Sequence, residues 1–99
     1  MGVGFTDRAE ADLEDVADFI ALDSPTRAAS FVRELREACL ALAQHPRRFP
    51  LSEVAAGKEL RRRALGNYLI YYRVFGDSVV ISRILNAARD HRRVEFPES

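Results

Sequence analysis

The chain has 99 residues, 47% of them hydrophobic and 30% charged, with fifteen acidic and fifteen basic side chains and a formal net charge of zero. This length and hydrophobic content predict one small globular domain over residues 1–99 and exclude a disordered chain. No apolar run approaches the roughly 18 residues that cross a bilayer, and no basic and then apolar segment opens the chain, so neither a membrane span nor a signal peptide is predicted.

A short strand and a helix are predicted at the start of the chain. Gly2–Phe5 is apolar, as an edge or central strand would be, and Thr6 suits the N-cap of a helix. Over Asp7–Leu22 the apolar residues recur at helical spacing, while acidic residues occupy the opposite side. We regard that acidic side as an ordinary solvated surface.

A second helix is predicted to follow almost at once. Ser24 is a good N-cap, and Pro25 suits the first helical position because its missing N–H costs nothing there. One apolar stripe then continues to a helix end near Gln44, since His45 precedes a proline and disfavours helix. The single cysteine, Cys39, lies in that stripe, so its thiol is expected to pack in the core of a protein in the reducing cytoplasm.

Three strand-like runs complete the predicted fold. KELRRRAL, YLIYYRVF and SVVISRIL are rich in β-branched and aromatic residues, and the dipeptides Gly66-Asn67 and Gly76-Asp77 between them suit tight hairpin turns. We therefore expect an α+β fold with an N-terminal strand, a two-helix antiparallel hairpin and a three-stranded antiparallel meander packed on the helices. A polar tail follows over residues 86–99.

Alternation along the middle run gives this sheet two largely apolar faces. One face carries Tyr68, Ile70, Tyr72 and Val74, and the other carries Leu69, Tyr71, Arg73 and Phe75. The helices can cover only one of them, so the tail or a partner is expected to cover part of the other.

Charge divides between the two halves of the chain. Residues 1–44 hold nine acids and four arginines, a net charge of −5, whereas residues 45–99 hold eleven basic residues and six acids, a net charge of +5. A basic sheet half points to an anionic partner, which is either nucleic acid or an acidic protein segment.

Four pieces of sequence in order carry a family resemblance. They are TDRAEADLEDVADFIALDSPTRAASFVREL, LAQHP, LRRRALGNYLIYYRV and ISRILNAARD. From about Phe5 to Asp90 the chain resembles the RelE/ParE superfamily of bacterial toxins, the toxin halves of type II toxin–antitoxin modules. It is closer to the ParE branch because of the long Ala-rich paired helices and the YLIYYRV strand.

The resemblance implies a cognate antitoxin, encoded beside the toxin, that wraps across the sheet and the helices in a hetero-oligomer. On the ParE branch it implies inhibition of DNA gyrase through a protein–protein contact in which the C-terminal end matters. On the RelE branch it implies cleavage of messenger RNA in the ribosome. An inactive homologue that only binds antitoxin is a third possibility.

Metal-free RNA cleavage needs a base, an acid and cations for the phosphate charge. By resemblance to RelE, these roles fall to lysines before the central strands, to arginines early in the third strand and past the last strand, and to a tail tyrosine or histidine. Here Leu69 replaces the first arginine, Arg89 retains the second, and Glu95 or Phe96 stands near the tail tyrosine. The lysine-bearing strand reads KELRRRAL, whose arginines supply charge but no titrating amine.

Arg89 and His91 are therefore the only catalytic candidates, and the chain is expected to be a gyrase inhibitor rather than an enzyme. Histidine is the side chain that ordinarily titrates near neutral pH, although a solvated tail residue is the expected role of His91. A histidine of many ParE-like sequences is replaced here by Asn86, so no role is carried over from it.

Five arginines are candidates for docking the target or the antitoxin, with structural ion pairing as the alternative. They are Arg61, Arg63, Arg73, Arg83 and Arg89. Because residues alternate across a strand, Arg61, Arg62 and Arg63 cannot all serve one pocket. We predict no cofactor and no metal, since two distant histidines and one cysteine do not make a zinc site.

Overall fold

The structure, a computed structural model, describes residues 2–54 and 58–97. Its elements follow one another as β1 (Val3–Phe5), α1 (Asp7–Ala21), α2 (Pro25–Ala41), β2 (Arg61–Leu65), β3 (Tyr68–Phe75), β4 (Ser78–Asn86) and a short 3₁₀ turn (His91–Arg93). The predicted α+β fold, with its strand, helical hairpin and antiparallel meander, is confirmed. Within the described ranges, no helix is long and apolar enough to cross a membrane.

Side-chain caps start both helices where the sequence predicts them. Thr6 Oγ1 accepts a hydrogen bond from Ala9 N at 3.0 Å, and Ser24 Oγ accepts one from Arg27 N at 3.1 Å. These bonds satisfy backbone N–H groups that have no partner inside the helix. The two caps therefore set the short connection that turns the second helix back along the first.

Two predicted boundaries were wrong by a few residues. The helix α2 ends at Ala41 rather than near Gln44, because residues 42–44 donate to carbonyls three residues back and tighten the chain into turns. The strand predicted from Lys58 begins at Arg61, since Glu59 has a φ of +53° that extended backbone does not allow.

The four strands form one sheet in the order β1-β4-β3-β2, with β1 parallel to β4 and the other neighbours antiparallel. Gly66 and Gly76, with φ values of +57° and +56°, make the two hairpin turns, as the sequence predicts. β1 pairs only with Val79–Ile81. Among the described residues, the later part of β4 therefore has no neighbouring strand on that edge.

Different parts of the chain cover the two faces of the sheet. The helices cover one face and enclose the main core, whose fully buried side chains include Leu35, Cys39, Ile70 and Tyr72. The other face, called the open face here, carries Leu69, Tyr71 and Leu85. There Leu60 and Phe96 complete a smaller apolar cluster.

A β-bulge at Ser82 interrupts the alternation of side chains along β4. Tyr71 lies opposite Arg83 but Tyr72 lies opposite Ile81, so Ser82 is the extra residue between them. Because of this insertion, Ile81 and Ile84 both pack in the main core. The bulge thus decides the face of Arg83, which strict alternation leaves open.

Candidate functional site

The C-terminal segment, residues 91–97, folds back on the open face. Phe96 is buried there, with its ring edge against Tyr71 and 5.0 Å between the ring centroids. The carbonyl oxygens of Glu95 and Phe96 accept hydrogen bonds, each of 2.8 Å, from Arg83 Nη1 and Lys58 Nζ. The tail therefore covers part of this face, as one of the two sequence-based alternatives holds.

His91 is buried beneath this segment, so its expected role as a solvated tail residue was wrong. Its Nε2 lies 2.7 Å from the carbonyl oxygen of Asn86, and its Nδ1 lies 2.5 Å from the hydroxyl oxygen of Tyr71. A carbonyl can only accept, which assigns the proton to Nε2 and leaves Nδ1 to accept from the hydroxyl. Asp90 caps the 3₁₀ turn by accepting from Arg92 N, and that turn carries the imidazole inward.

The tyrosine hydroxyl of this pair stays protonated at neutral pH. Burial raises the pKa of Tyr71 above its ordinary value of 10.0, against the opposing effect of the nearby Arg62 guanidinium. Tyr71 and His91 therefore hold each other and the chain end in place. The two ring nitrogens are already occupied, and as drawn they do not offer a proton to a ligand.

Arg83 is buried and internally paired, which contradicts its proposed role as a docking residue. Its Nε and Nη2 donate to the two carboxylate oxygens of Asp12 at 2.8 and 2.9 Å, and only 2% of the side chain is exposed. Asp12 Oδ2 also accepts from Ile84 N at 2.9 Å. This carboxylate therefore occupies the strand edge that β1 is too short to cover, and Arg83 joins it to the tail through Glu95 O.

Three more docking candidates are half-buried. Arg61 Nη1 donates to the carbonyls of Arg47 and Phe49, and Arg63 Nη1 donates to Ala38 O. These bonds tie β2 to the end of α2 and to the loop after it. Arg73 lies over the ring of Phe75, 4.8 Å from its centroid.

Arg62 and Arg89 are the exposed arginines of the open face. They flank a pocket of about 510 Å³ that is also lined by Leu69, Tyr71 and the segment 51–54. Neither of the two forms an ion pair with a carboxylate of the described residues. We take this pocket, called the open-face pocket here, as the candidate functional site, because it combines free cationic groups with a half-buried apolar floor.

The pocket has the composition of a binding surface. Its acidic residues, Glu53 and Asp90, lie on the rim with the two arginines. Leu69 stands where the resemblance to RelE calls for an arginine, and Phe96, near the position of the tail tyrosine, is buried. Within 2–54 and 58–97, no group of three or more His, Cys, Asp or Glu side chains could hold a metal ion.

Comparison with known families agrees with the fold. Residues 3–91 match the model of the ParE toxin of type II toxin-antitoxin system, parDE. The chain belongs to the ParE toxin family. A solved structure described as the chromosomal ParDE TA system from P. aeruginosa resembles this ParE-family protein with a TM-score of 0.72 and 25% identity, over 87% of this chain and 95% of that one. No functionally curated protein sequence matches significantly.

Sequence reasoning missed two residues of this ParE-family protein. Arg62 was set aside in favour of Arg61 and Arg63, although alternation alone shows that one side of β2 must differ from the other. Asp12 was not singled out, yet it lies three residues after Ala9 and four before Val16, on the apolar stripe of α1. An acid within such a stripe is a signal for a buried partner.

Proposed function

We propose that this ParE-family protein is a growth-inhibiting toxin that binds DNA gyrase in the cytoplasm, and that a cognate antitoxin neutralises it in a hetero-oligomer. The family match and the likeness to a ParDE TA system support the toxin–antitoxin part of the proposal. The observation that carries the site is the exposed pair Arg62 and Arg89 beside the docked tail. Arginine is the cation best suited to bidentate contacts with carboxylates at protein interfaces.

The geometry favours binding over RNA cleavage. A general acid or base must reach the substrate with a group that is free to exchange a proton. His91 is buried between Tyr71 and Asn86, and Arg89 holds its proton at all ordinary pH values. The nuclease of the RelE type therefore remains the alternative, with these two residues as its only candidates.

The test is gyrase-catalysed supercoiling of relaxed plasmid DNA with increasing amounts of the purified protein. We expect loss of supercoiling or accumulation of cleaved DNA, and reversal by the antitoxin encoded beside the toxin. Arg62→Glu combined with Arg89→Glu should raise the concentration for half-inhibition at least about tenfold, because reversed charges repel the acidic partner surface. Arg33→Glu, on the exposed side of α2, is the control for a change of charge alone.

The role of the tail needs a variant that leaves the fold intact. Truncation after Asp90 would remove Phe96 and His91 and uncover Tyr71, so a loss of toxicity would not separate contact from folding. Arg92 and Arg93 have side chains that are 83% and 90% exposed, so the double variant Arg92→Glu/Arg93→Glu tests the surface only.

Full supercoiling at high protein excess would overturn the gyrase proposal. Cleavage of ribosome-bound messenger RNA, lost with Arg89→Ala or His91→Ala in variants that still fold, would replace it with the nuclease. Absence of growth arrest on expression alone would leave the inactive homologue.

A further inference from the structure

A second concave surface lies at the other side of β4, away from the open-face pocket. One wall is α1 with Asp15, Val16 and Phe19, and the other is formed by the end of β4 and the turn that carries Arg89. The space between them measures about 270 Å³. This side groove exists because β1 stops at Phe5 and leaves α1, rather than a strand, beside the last residues of β4.

The helix wall of the side groove continues as an exposed apolar stripe. Leu22 is 81% exposed and Phe19 is 63% exposed, the two highest values among the large apolar side chains of the described residues. Single exposed apolar residues are common on protein surfaces. Here two of them adjoin along one side of a helix and border a groove of apolar floor, which is the arrangement of a protein contact.

The two walls of the side groove have opposite charge. Asp15 and Asp18 are exposed on α1, and no ion pair joins either of them to a described residue. The last turn of α1 contains no basic residue. Arg89 lies on the facing wall, also without an ion pair to the described part of the chain.

The spacing along α1 suits a helix as the partner. Asp15, Phe19 and Leu22 are separated by four and three residues, so they form one line of about 10 Å along the helix. A partner helix presents its own side chains at the same spacing when it packs alongside. A second copy of this chain fits poorly, because packing α1 against itself would bring its acidic residues together.

We propose that the side groove binds an amphipathic helix of a partner protein. Its apolar side chains contact Phe19 and Leu22, its basic residues lie along Asp15 and Asp18, and an acidic residue on its opposite edge faces Arg89. Apart from Arg89, this surface shares no residue with the open-face pocket. The protein therefore has a second contact surface, whether or not the open-face pocket binds gyrase.

Two designed helical peptides of identical composition test this. Both carry leucines at positions i, i+4 and i+7; the first has arginines on one flank and glutamates on the other, and the second has the flanks exchanged. Fluorescence anisotropy with the full-length protein should give a dissociation constant for one peptide at least about tenfold below that of the other. Asp15→Arg should abolish that preference, whereas Glu37→Arg, an exposed acid of α2, should leave it intact.

The site of binding is checked by two-dimensional NMR of the labelled protein. Amide shifts of Phe19, Leu22 and Asn86 should move on addition of the preferred peptide, and those of the segment 51–54 should not. Equal affinities for the two peptides, a preference that survives Asp15→Arg, or shifts confined to other surfaces would overturn the proposal. Circular dichroism of Asp15→Arg verifies that the variant is folded.

Discussion

The two faces of the sheet are covered by different kinds of contact. On the helix side, apolar side chains from α1 and α2 meet Ile70, Tyr72 and Ile81 in a core that is almost wholly buried. On the open face, one short segment is held by cations that bind its carbonyl oxygens and by a single aromatic anchor, Phe96. The first covering defines the fold, and the second leaves room at its side for a binding pocket. The candidate site accordingly lies on the weakly covered face.

The Asp12–Arg83 pair joins the two coverings, and breaking it should have the largest effect. Asp12→Ala leaves a buried guanidinium without its partner and Ile84 N without an acceptor. We expect the free energy of unfolding to fall by about 3–5 kcal/mol in urea denaturation. Glu10→Ala, which removes the exposed partner of Arg36 on the same helix, should cost less than about 1 kcal/mol.

A double variant separates charge burial from packing. Asp12→Leu with Arg83→Met removes both charges, and it should recover most of the stability that Asp12→Ala loses. Equal losses for Asp12→Ala and Glu10→Ala would mean that the buried pair does not join α1 to β4.

The two faces should also differ in how they respond to loss of a large side chain. Leu35→Ala, in the main core, should lower the global free energy of unfolding by about 3–4 kcal/mol. Phe96→Ala should instead release the tail locally, so hydrogen exchange should speed up at residues 91–97 and stay unchanged in the helices. A uniform loss of protection after Phe96→Ala would show that the open face is as much part of the cooperative core as the helix face.

Alkaline pH should weaken the helix side. Burial raises the pKa of the Cys39 thiol from its ordinary value of 9.0 to about 12, against opposing effects of Arg63 and Arg36. Because the folded-state pKa is the higher one, this contribution is fully present below the unfolded pKa and is lost as pH rises toward the folded value. Between about pH 8 and pH 10 the thiol should remove about 1.4 kcal/mol from the free energy of unfolding.

The change with pH is measured by urea titration of the wild-type protein and of Cys39→Ala. The variant should lose about 1.4 kcal/mol less over the same interval, because it has no thiol to ionise. Identical slopes for the two proteins would show that the buried thiol does not govern this loss.

The smallest effect is expected at the bulge. Ser82 Oγ is buried and makes no hydrogen bond with the described residues. Ser82→Ala removes an unsatisfied polar atom, so stability should stay within about 1 kcal/mol of the wild type or rise slightly. A larger loss would mean that the hydroxyl has a partner, which could be a buried water, and that the bulge depends on it.

Much of the fold could be predicted because its signals are local. The caps at Thr6 and Ser24, the helical stripes and the glycines of the hairpins are read over a few neighbouring residues. The site could be predicted only in part. The sequence pointed to arginines of the sheet half, but it selected Arg61 and Arg63 and passed over Arg62.

By itself, the sequence determined the order of the elements, their approximate bounds, the family resemblance and the division of charge between helices and sheet. The tertiary structure decided the use of each charged residue. It buried Arg83 against Asp12, turned His91 inward beneath the tail, and left Arg62 and Arg89 at the surface. The physical reason is that a β-bulge at Ser82 and a three-residue β1 determine which atoms meet across more than 70 residues of chain. Such meetings depend on register and edge coverage, which no local pattern records.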